Sequence, residues 1–420
     1  MRRTRPLAAG AMAWAVAVML LAGLAPARAA TTPGSTYFPL SPSRILDTRN
    51  GTGAPAGHLG PGAAIDLTVV NANGVPATGV TAVILNVTAT DASAQDSYLT
   101  VYPAGTLRPM ASNLNFNAGT TSTNLVTVGV PATGDNAGKV TIYNNAGAVS
   151  VVADINGWYS ANGGPVGATF HPLPPDRVLD TRNGVGSEHS LVFPGQSIEV
   201  QVTGRGGVPE TGVSAVVLNV TAIHVAGPES FLTVYPSGTD RPLASNLNFL
   251  NYRAVPNLVV ARIGTNGRVS MYNNLGLADF VADVQGWYTS PGTTTGATYF
   301  AVSPARVLDT RRGASTSIGM RLGAGETLDV SPLDTNGAGV AAVVLNVTAV
   351  DHAGPDTFLT VFPRLNGRPL ASNLNVVEGQ TIPNLVFARV GGDRQVTVYN
   401  NAGAVHVLAD IQGWFLTHEG

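Results

Sequence analysis

The stretch TAVILNVTA, residues 81–89, consists almost entirely of apolar and β-branched residues, and close variants of it occur twice more in the chain. Its last five letters, LNVTA, stand at 85–89, 218–222 and 345–349. Residues of this kind fit the pleated, half-buried surface of a β-strand. The stretch therefore predicts a strand, and its recurrence predicts a chain built from three copies of one β-rich unit.

Other strings recur in the same order. SNLN stands at 112–115, 245–248 and 372–375, and YNN at 143–145, 272–274 and 399–401. A closing string, Asp-[Ile/Val]-[Asn/Gln]-Gly-Trp-[Tyr/Phe], stands at 154–159, 283–288 and 410–415. Its tryptophans are 129 and 127 residues apart, which is long enough for each copy to be a domain. The predicted domains are unit 1 (31–160), unit 2 (161–290) and unit 3 (291–420).

Within each unit, short runs such as YLTVYP (98–103) and KVTIYN (139–144) are separated by Gly, Pro and Asn. This pattern predicts about eight strands per unit and no amphipathic helix. The tetrads NNAG, NNLG and NNAG are expected to form hairpin turns, since Asn and Gly tolerate positive φ. The predicted fold is all-β, with three tandem antiparallel β-sandwich (jelly-roll-like) domains.

The N-terminus predicts a secretory signal peptide over residues 1–29. Three arginines precede an apolar run from Leu7 to Leu24, and Ala27-Arg28-Ala29 offers small residues where a signal peptidase cleaves. A permanent membrane anchor is the alternative, but the small residues follow the apolar run directly. We therefore expect a secreted, extracellular protein with no membrane attachment after cleavage.

Charge and cysteine content narrow the classes of partner. Removing the four arginines of the signal peptide from the 23 basic residues leaves 19 against 25 acidic residues, a net charge of −6. This balance argues against nucleic acid as a partner. The chain has no cysteine, so thiol chemistry and cysteine-bound metals are excluded, and each unit must be stabilised by its core alone. Oligomeric state does not follow.

The string RILDTR at 44–49 recurs as RVLDTR at 177–182 and 306–311. Alternate residues of a strand share a face, so Asp180 and Arg182 are expected on one side and Arg177 on the other. Asp283 and Arg241 are candidate partners from neighbouring elements. We expect a structural latch that fixes strand register rather than a ligand site. Its residues are Asp47, Arg49, Asp180, Arg182, Asp309 and Arg311.

The sequence contains few sets of residues that are typical of catalytic sites. None of the seven histidines recurs in all three units, so a repeated Ser-His-Asp triad or histidine metal site is excluded. Asp47 and Asp154 could form a glycosidase pair, but nearby arginines favour ion pairing over a raised general-acid pKa. We expect no enzymatic activity, no metal and no cofactor.

The closing strand supplies the candidate ligand site. In VSVVADINGWY (149–159), Val149, Val151, Ala153 and Ile155 are expected to face the core, with the polar residues and the tryptophan on the opposite face. An indole beside a carboxylate and an amide suits sugar binding. The alternative is a tryptophan that seals the core. The candidate residues are Asp154, Asn156, Trp158, Asp283, Gln285, Trp287, Asp410, Gln412 and Trp414.

The asparagine of each NVT string matches an N-glycosylation site. Each copy lies in the middle of a predicted strand, so we expect Asn86, Asn219 and Asn346 to bond neighbouring backbone instead.

The strings LDTR, LNVTA, LTVYP followed by RP and SNLN, NLV and VADVQGWY resemble the β-repeats of secreted actinobacterial proteins. The resemblance covers nearly the whole chain after residue 29. It implies an accessory module with cell-surface or carbohydrate-binding roles, and it carries over no catalytic residue.

Together these features predict a secreted, non-enzymatic tandem-repeat protein that binds extracellular or cell-wall glycan through several weak sites, because linked copies gain avidity. One alternative is a structural or adhesive scaffold of the cell surface that binds protein partners. The other is a carboxylate-dependent hydrolase, which requires a cleft with two facing carboxylates and no arginine between them.

Overall fold

The computed structural model describes residues 34–161, 166–250, 252–312, 319–333 and 339–417. The predicted signal peptide, residues 1–29, lies outside these ranges. Within them, the structure has no helix with the length and apolarity that crossing a bilayer requires.

The described residues form 24 strands, eight in each unit. Those of unit 1 are β1 Thr36–Asp47, β2 Ala64–Thr68, β3 Val80–Thr90, β4 Ser97–Pro103, β5 Leu114–Phe116, β6 Ser122–Gly129, β7 Lys139–Asn144 and β8 Ser150–Ser160. Those of unit 2 are β9 Phe170–Asp180, β10 Ser197–Gln201, β11 Val213–Ala226, β12 Ser230–Pro236, β13 Leu247–Phe249, β14 Ala254–Arg262, β15 Arg268–Asn273 and β16 Leu277–Thr289, with a short 3-10 helix over Thr265–Gly267. Those of unit 3 are β17 Ala297–Asp309, β18 Thr327–Val330, β19 Val340–Ala353, β20 Thr357–Pro363, β21 Leu374–Val376, β22 Ile382–Arg389, β23 Val396–Asn400 and β24 Ala404–Thr417.

In each unit the strands form two antiparallel sheets. In unit 1 the orders are β1-β8-β3-β6, called the axial sheet, and β2-β7-β4-β5, called the outer sheet. Units 2 and 3 repeat both orders. The chain passes from one sheet to the other after almost every strand, which is the jelly-roll pattern. The prediction of an all-β, antiparallel, jelly-roll-like sandwich is confirmed.

The expectation for the NNAG turns is wrong. Asn144 ends β7 in the outer sheet, and the next strand, β8, belongs to the axial sheet. The turn therefore connects the two sheets instead of closing a hairpin. The residue preference still holds, since Gly147, Gly276 and Gly403 all have positive φ.

Each sandwich has its own apolar core between its two sheets. In unit 1, Val83, Leu85 and Val87 of β3 point toward Leu99 and Val101 of β4, and all five are buried. These are alternate residues of their strands, as the period of two requires. Equivalent clusters fill units 2 and 3.

The residues between them on β3 pack in a different core. Ala82 and Ile84 are fully buried and belong to a cluster that contains residues of all three units. Three axial sheets therefore pack on one another through their remaining faces. Its aromatic members are Tyr37, Tyr159, Phe170, Tyr288, Tyr299, Phe387 and Phe415. The stretch TAVILNVTA is apolar on both sides because both sides of β3 are buried.

Backbone pairing at the start of each unit joins all three units. Ser35 N donates to Tyr299 O, and Tyr37 N donates to Ala168 O, both at 2.8 Å. Phe170 pairs with Ala297, which links the axial sheets of units 2 and 3 into one sheet of eight strands. Each unit thus contacts the other two, so the units form a closed ring with approximate threefold symmetry.

Candidate functional site

The recurring Arg-x-Leu-Asp-Thr-Arg string forms a compact ion-pair network at the end of β1. Arg44 Nε donates to Asp154 of β8 at 2.6 Å, and its Nη1 donates to Asp47 at 2.9 Å. Arg49 donates to both oxygens of Asp47, at 2.9 and 2.7 Å, and its backbone N–H also donates to Asp47. Both carboxylates are buried. The network joins the first strand of the unit to the last.

A β-bulge produces this arrangement. Arg44 lies opposite Asp154 and Leu46 lies opposite Ala153, so Ile45 is an extra residue in β1. The bulge turns Arg44 to the side of Asp47, against the simple alternation expected from the sequence. Units 2 and 3 have the same bulge and the same ion pairs. They are Arg177–Asp283, Arg177–Asp180, Arg182–Asp180, Arg306–Asp410, Arg306–Asp309 and Arg311–Asp309.

The carboxyls of this network have shifted pKa values. The hydrogen bond from the Arg49 guanidinium lowers the pKa of Asp47 to about 2, and Arg311 lowers that of Asp309 to about 2 in the same way. Burial raises the pKa of Asp154, and the hydrogen bond from Arg44 acts against this increase. Asp47 is therefore held as a carboxylate across the neutral range.

Arg241 does not take part in the network, although the sequence made it a candidate. Its guanidinium lies over the ring of Tyr272, 4.0 Å from the ring centroid, on the outer sheet. Asp283, the other candidate partner, does pair with Arg177. Whether the network acts as a latch stays a prediction.

The closing strand does not form the expected open platform. Ile84 of β3 lies opposite Gly157 and Leu85 lies opposite Ile155, so Asn156 is an extra residue in β8. This second bulge turns Trp158 to the sandwich core, where it is 6% exposed and stacks on Phe38. The expectation that Trp158 shares a face with Asp154 and Asn156 is wrong.

The other two units have the same bulge, at Gln285 and Gln412. Trp287 and Trp414 pack partly buried against the cores of their units, stacked on His171 and Phe300. The polar members of the candidate site are all buried. They are Asp154, Asn156, Asp283, Gln285, Asp410 and Gln412.

The glycine after each bulge has a steric role. A Cβ on Gly157 would lie 2.2 Å from the hydroxyl oxygen of Tyr37, a residue of the shared core. Gly286 and Gly413 meet Phe170 and Tyr299 in the same way. The glycine of the closing string thus leaves room for an aromatic ring of the shared core.

Asparagines join the units at their interfaces. Asn257 Nδ2 donates to Asn86 Oδ1 at 3.0 Å, and Asn257 Oδ1 accepts from the backbone N–H of Leu125 at 3.2 Å. Asn86 Nδ2 in turn donates to the backbone oxygen of Ser245. Leu125 lies on β6, an edge strand of the axial sheet, so these amides satisfy edge groups that no strand pairs.

The same bonds recur around the ring. Between units 2 and 3 they join Asn384 to Asn219, Leu258 to Asn384 and Asn219 to Ser372. Between units 3 and 1 they join Asn124 to Asn346, Leu385 to Asn124 and Asn346 to Ser112. The asparagine of each NVT string bonds backbone as expected, but that backbone belongs to the next unit.

Each outer sheet carries an arginine stacked on a tyrosine. Arg108, Arg241 and Arg368 lie 4.1, 4.0 and 4.3 Å from the ring centroids of Tyr143, Tyr272 and Tyr399. A second half-buried aromatic ring belongs to each cluster. The ring centroids of Phe231 and Phe358 lie 6.3 and 6.2 Å from those of Tyr272 and Tyr399, and the hydroxyl of Tyr98 accepts a hydrogen bond from Arg108 Nη1 at 3.5 Å. These positions are equivalent in the three units.

These clusters form one wall of clefts between units. In the cleft between units 1 and 2, unit 1 contributes Arg44 and Arg49, and unit 2 contributes Phe231, Arg241 and Leu243. The cleft has a volume of about 360 Å³ and also includes Glu229.

The cleft between units 3 and 1 has the same construction and a volume of about 440 Å³. Unit 3 contributes Arg306 and Arg311, and unit 1 contributes Tyr98, Arg108 and Met110. Arg306 Nη2 donates to the backbone oxygen of Met110 at 3.5 Å, which joins the two walls. At the interface of units 2 and 3 the equivalent residues are Arg177, Arg182, Phe358, Arg368 and Leu370.

From the sequence, the arginine before proline was considered only at Arg241, as a partner of the ion-pair network. Sequence reasoning missed the residues after the proline, Met110, Leu243 and Leu370, whose exposed fractions are 80, 83 and 80%. The signal that could have found them is the recurrence of Arg-Pro-[Met/Leu]-Ala-Ser-Asn-Leu-Asn, in which an apolar residue follows a proline in every copy.

The geometry of a carboxylate-dependent hydrolase is not found at Asp47 and Asp154. Arg44 lies between them and bonds both. Within the described residues, the structure has no cluster of His, Cys, Asp and Glu that could hold a metal ion.

No family model and no curated protein matches this sequence. Among solved structures, similar chains include the N-terminal CBM22-1-CBM22-2 tandem domain from Paenibacillus barcinonensis Xyn10C, at 12% identity and a TM-score of 0.18, over 59% of this chain and 99% of that one. Two further similar chains are one from the Sulfolobus Turreted Icosahedral Virus structure (10% identity, TM-score 0.17, 92% of this chain and 91% of that one) and one described with the triple jelly roll fold of an archaeal virus (10% identity, TM-score 0.16, 91% of this chain and 90% of that one). Likenesses at this level say nothing about what the chain binds.

Proposed function

We propose that the protein is secreted and acts outside the cell as a non-enzymatic glycan-binding protein with three equivalent weak sites. The observation that supports this most is the recurrence, at corresponding positions of all three units, of a stacked arginine beside a half-exposed aromatic ring. The buried closing strand is replaced as the candidate site by these interunit clefts.

The chemistry of the clefts suits a sugar polymer. The half-buried rings of Tyr98, Phe231 and Phe358 offer apolar edges to the C–H groups of a sugar, and the stacked guanidinium offers several N–H donors to its oxygens. Cavities of about 360 and 440 Å³ are large enough for one or two sugar residues and are open to solvent. A single site of this kind is shallow and weak.

The ring makes three weak sites effective together. The shared core and the interunit asparagine bonds fix the units relative to one another. A polymer that occupies one cleft therefore meets the next at a high effective concentration without further ordering of the protein. A polysaccharide or a cell-envelope surface presents such repeated ligands.

Cosedimentation of residues 30–420 with insoluble polysaccharides and peptidoglycan sacculi tests the proposal. The variant Y98S/F231S/F358S removes the flanking rings, and V166S/F193S/M320S is the control, because it removes three exposed apolar side chains elsewhere. We expect the first variant to lose binding and the control to retain it, with both unfolding at the parent's temperature. A parent that binds none of these materials would overturn the proposal.

A second candidate is an adhesive or structural scaffold that binds protein partners. An exposed apolar side chain at the same position of every unit, Met110, Leu243 and Leu370, favours it, because each could serve as a contact for a protein partner. The variant M110S/L243S/L370S separates the candidates. If the variant still binds glycan, the clefts do not act through apolar contacts alone, and the glycan-binding proposal is favoured over the scaffold.

A further inference from the structure

We infer that the interunit clefts bind anionic groups, so that the ligand is an acidic glycan carrying carboxylates or phosphodiesters. This inference rests on the proposed function and adds the chemical class of its ligand.

The first support is the charge of the cleft walls. Three guanidinium groups from two units line the cleft between units 3 and 1: Arg108, Arg306 and Arg311, and its lining residues include no carboxylate. Arg306 and Arg311 do have counter-ions, but the side chains of Asp309 and Asp410 are only 5 and 1% exposed. The negative charges lie beneath the positive ones, so the surface that a ligand meets is cationic.

The cleft between units 1 and 2 follows the same plan. Arg44, Arg49 and Arg241 line it, above the buried carboxylates of Asp47 and Asp154. Nearly half of the Arg49 side chain is exposed although it is paired, so it keeps a free edge toward the cleft. Glu229 also lines this cleft, and units 1 and 3 have Asp96 and Asp356 at the equivalent position.

The second support is the state of the stacked arginines. Elsewhere on the surface, Arg268, Arg321 and Arg364 pair with acidic side chains. Arg108, Arg241 and Arg368 instead lie on aromatic rings, and no ion pair joins them to a carboxylate of the described residues. Stacking fixes the plane of a guanidinium and leaves its N–H edge exposed, which is the geometry that binds a carboxylate or phosphate bidentately.

The third support is that the charge is local. After removal of residues 1–29 the chain has a net charge of −6, so it has no general attraction for polyanions. Cationic groups nevertheless recur at the same place in every unit. A polymer with regularly repeated anionic groups matches cationic groups that recur at the three interfaces of one ring.

Two matched sets of polymers test the inference with residues 30–420. The first is polygalacturonate beside its methyl ester, which has the same backbone without the charge. The second is bacterial cell walls, either untreated, treated with hydrofluoric acid to remove phosphodiester polymers, or amidated to mask carboxylates. We expect binding to polygalacturonate to exceed binding to its ester about tenfold or more, and to weaken as salt is raised. The two wall treatments show whether carboxylate or phosphate is the natural group.

The variant R108Q/R241Q/R368Q removes the stacked charges from exposed positions. We expect this variant to bind acidic polymers at least about tenfold more weakly than the parent. The variant R108K/R241K/R368K should recover part of the binding, because lysine keeps the charge but lacks the planar guanidinium that binds an anion through two hydrogen bonds. R205Q/R262Q/R389Q removes the same charge from exposed arginines outside these clefts and is expected to bind like the parent.

The outcomes separate the two proposals. Equal binding of the acid and its methyl ester, or acid binding that the glutamine variant leaves unchanged, overturns the anionic inference and leaves glycan binding standing. Binding to neither polymer set overturns the anionic inference, and glycan binding is overturned with it only if the parent also fails to cosediment with every insoluble polysaccharide and with sacculi.

Discussion

The hydroxyl oxygens of Tyr159 and Tyr288 lie 2.6 Å apart in the buried core shared by the three units. The two residues occupy the same position in units 1 and 2, and unit 3 has Phe415 there. Two hydroxyls satisfy each other at this point, and burial raises the pKa of both phenols well above the usual value, so both remain neutral donors or acceptors. A tyrosine in place of Phe415 would add a third hydroxyl, and the two existing hydroxyls already bond each other.

Removal of both hydroxyls should cost less than the sum of the two single removals. Y159F or Y288F alone leaves a buried hydroxyl without its partner, at a cost of about 1 to 2 kcal/mol in the free energy of unfolding. Y159F/Y288F replaces both groups with apolar ones of the same shape, so its cost should fall below the sum of the two. Urea unfolding of all four proteins gives the coupling energy. Strict additivity would show that the hydroxyls do not interact.

The interunit asparagines should matter more than asparagines in loops. N257A removes a donor to Asn86 and the acceptor of the Leu125 N–H, both buried at the interface of units 1 and 2. We expect a loss of about 2 to 4 kcal/mol, since each unsatisfied buried group costs about 1 to 3 kcal/mol. N50A, in an exposed turn, should change stability by less than about 1 kcal/mol. Similar unfolding midpoints for the two variants would contradict an interface held by these amides.

Acid should weaken the ion-pair network in a defined range of pH. The folded-state pKa of Asp47 and of Asp309 is about 2, below the unfolded value near 3.9, so their stabilisation is complete above about pH 4 and is lost as the pH falls through about 2. Each shift corresponds to roughly 2 to 3 kcal/mol. Burial raises the pKa of Asp154, so protonation of this carboxyl favours the folded state as the pH falls, which opposes the effect of Asp47 and Asp309. This opposing effect is the same in the parent and in the variant described next.

The variant D47N/D309N checks this sign. It should be less stable than the parent at pH 7, and its urea midpoint should fall less steeply between pH 4 and pH 2. D66N serves as the control, since Asp66 is exposed and lies outside the network. Parallel pH curves for D47N/D309N and the parent would show that these carboxyls do not drive acid unfolding.

The closing tryptophan should behave as a core residue. W158A removes a buried indole that stacks on Phe38, so it should lower the free energy of unfolding by about 3 to 5 kcal/mol. W414A removes a partly buried one and should cost less. Thermal melts give the stabilities, and cosedimentation with polysaccharide gives the binding. A W158A protein that is as stable as the parent but no longer binds would restore the closing strand as the ligand site.

Much of the fold could be predicted from the alternation of residues along the strands and from the three repeats of the sequence. The alternation in β3 and the recurrence of its sequence indicate strands, and the Asn-Gly tetrads indicate turns. The faces of the closing strand could not be assigned, because a single extra residue, Asn156, turns Trp158 to the opposite side. The alternation of residues along a strand does not show where a bulge residue lies. The one sign in the sequence is the glycine that follows it.

The packing of the three units was also missed, although the sequence contained a sign of it. Ala82 and Ile84 alternate with Val83 and Leu85, so β3 is apolar on both faces, and a sandwich alone needs only one. The clefts were beyond prediction, because Arg49 and Arg241 come from different units and are brought together only by the ring.

The closed ring of three covalently linked units also affects which amino-acid substitutions the molecule can accept. In a trimer of identical chains every substitution appears three times, at once and at equivalent places. Here each interface is encoded separately, so Phe415 can replace a tyrosine in one unit, and Met110 can stand in unit 1 where units 2 and 3 have leucine. Covalent linkage thus gives a symmetric architecture three interfaces whose residues can change independently.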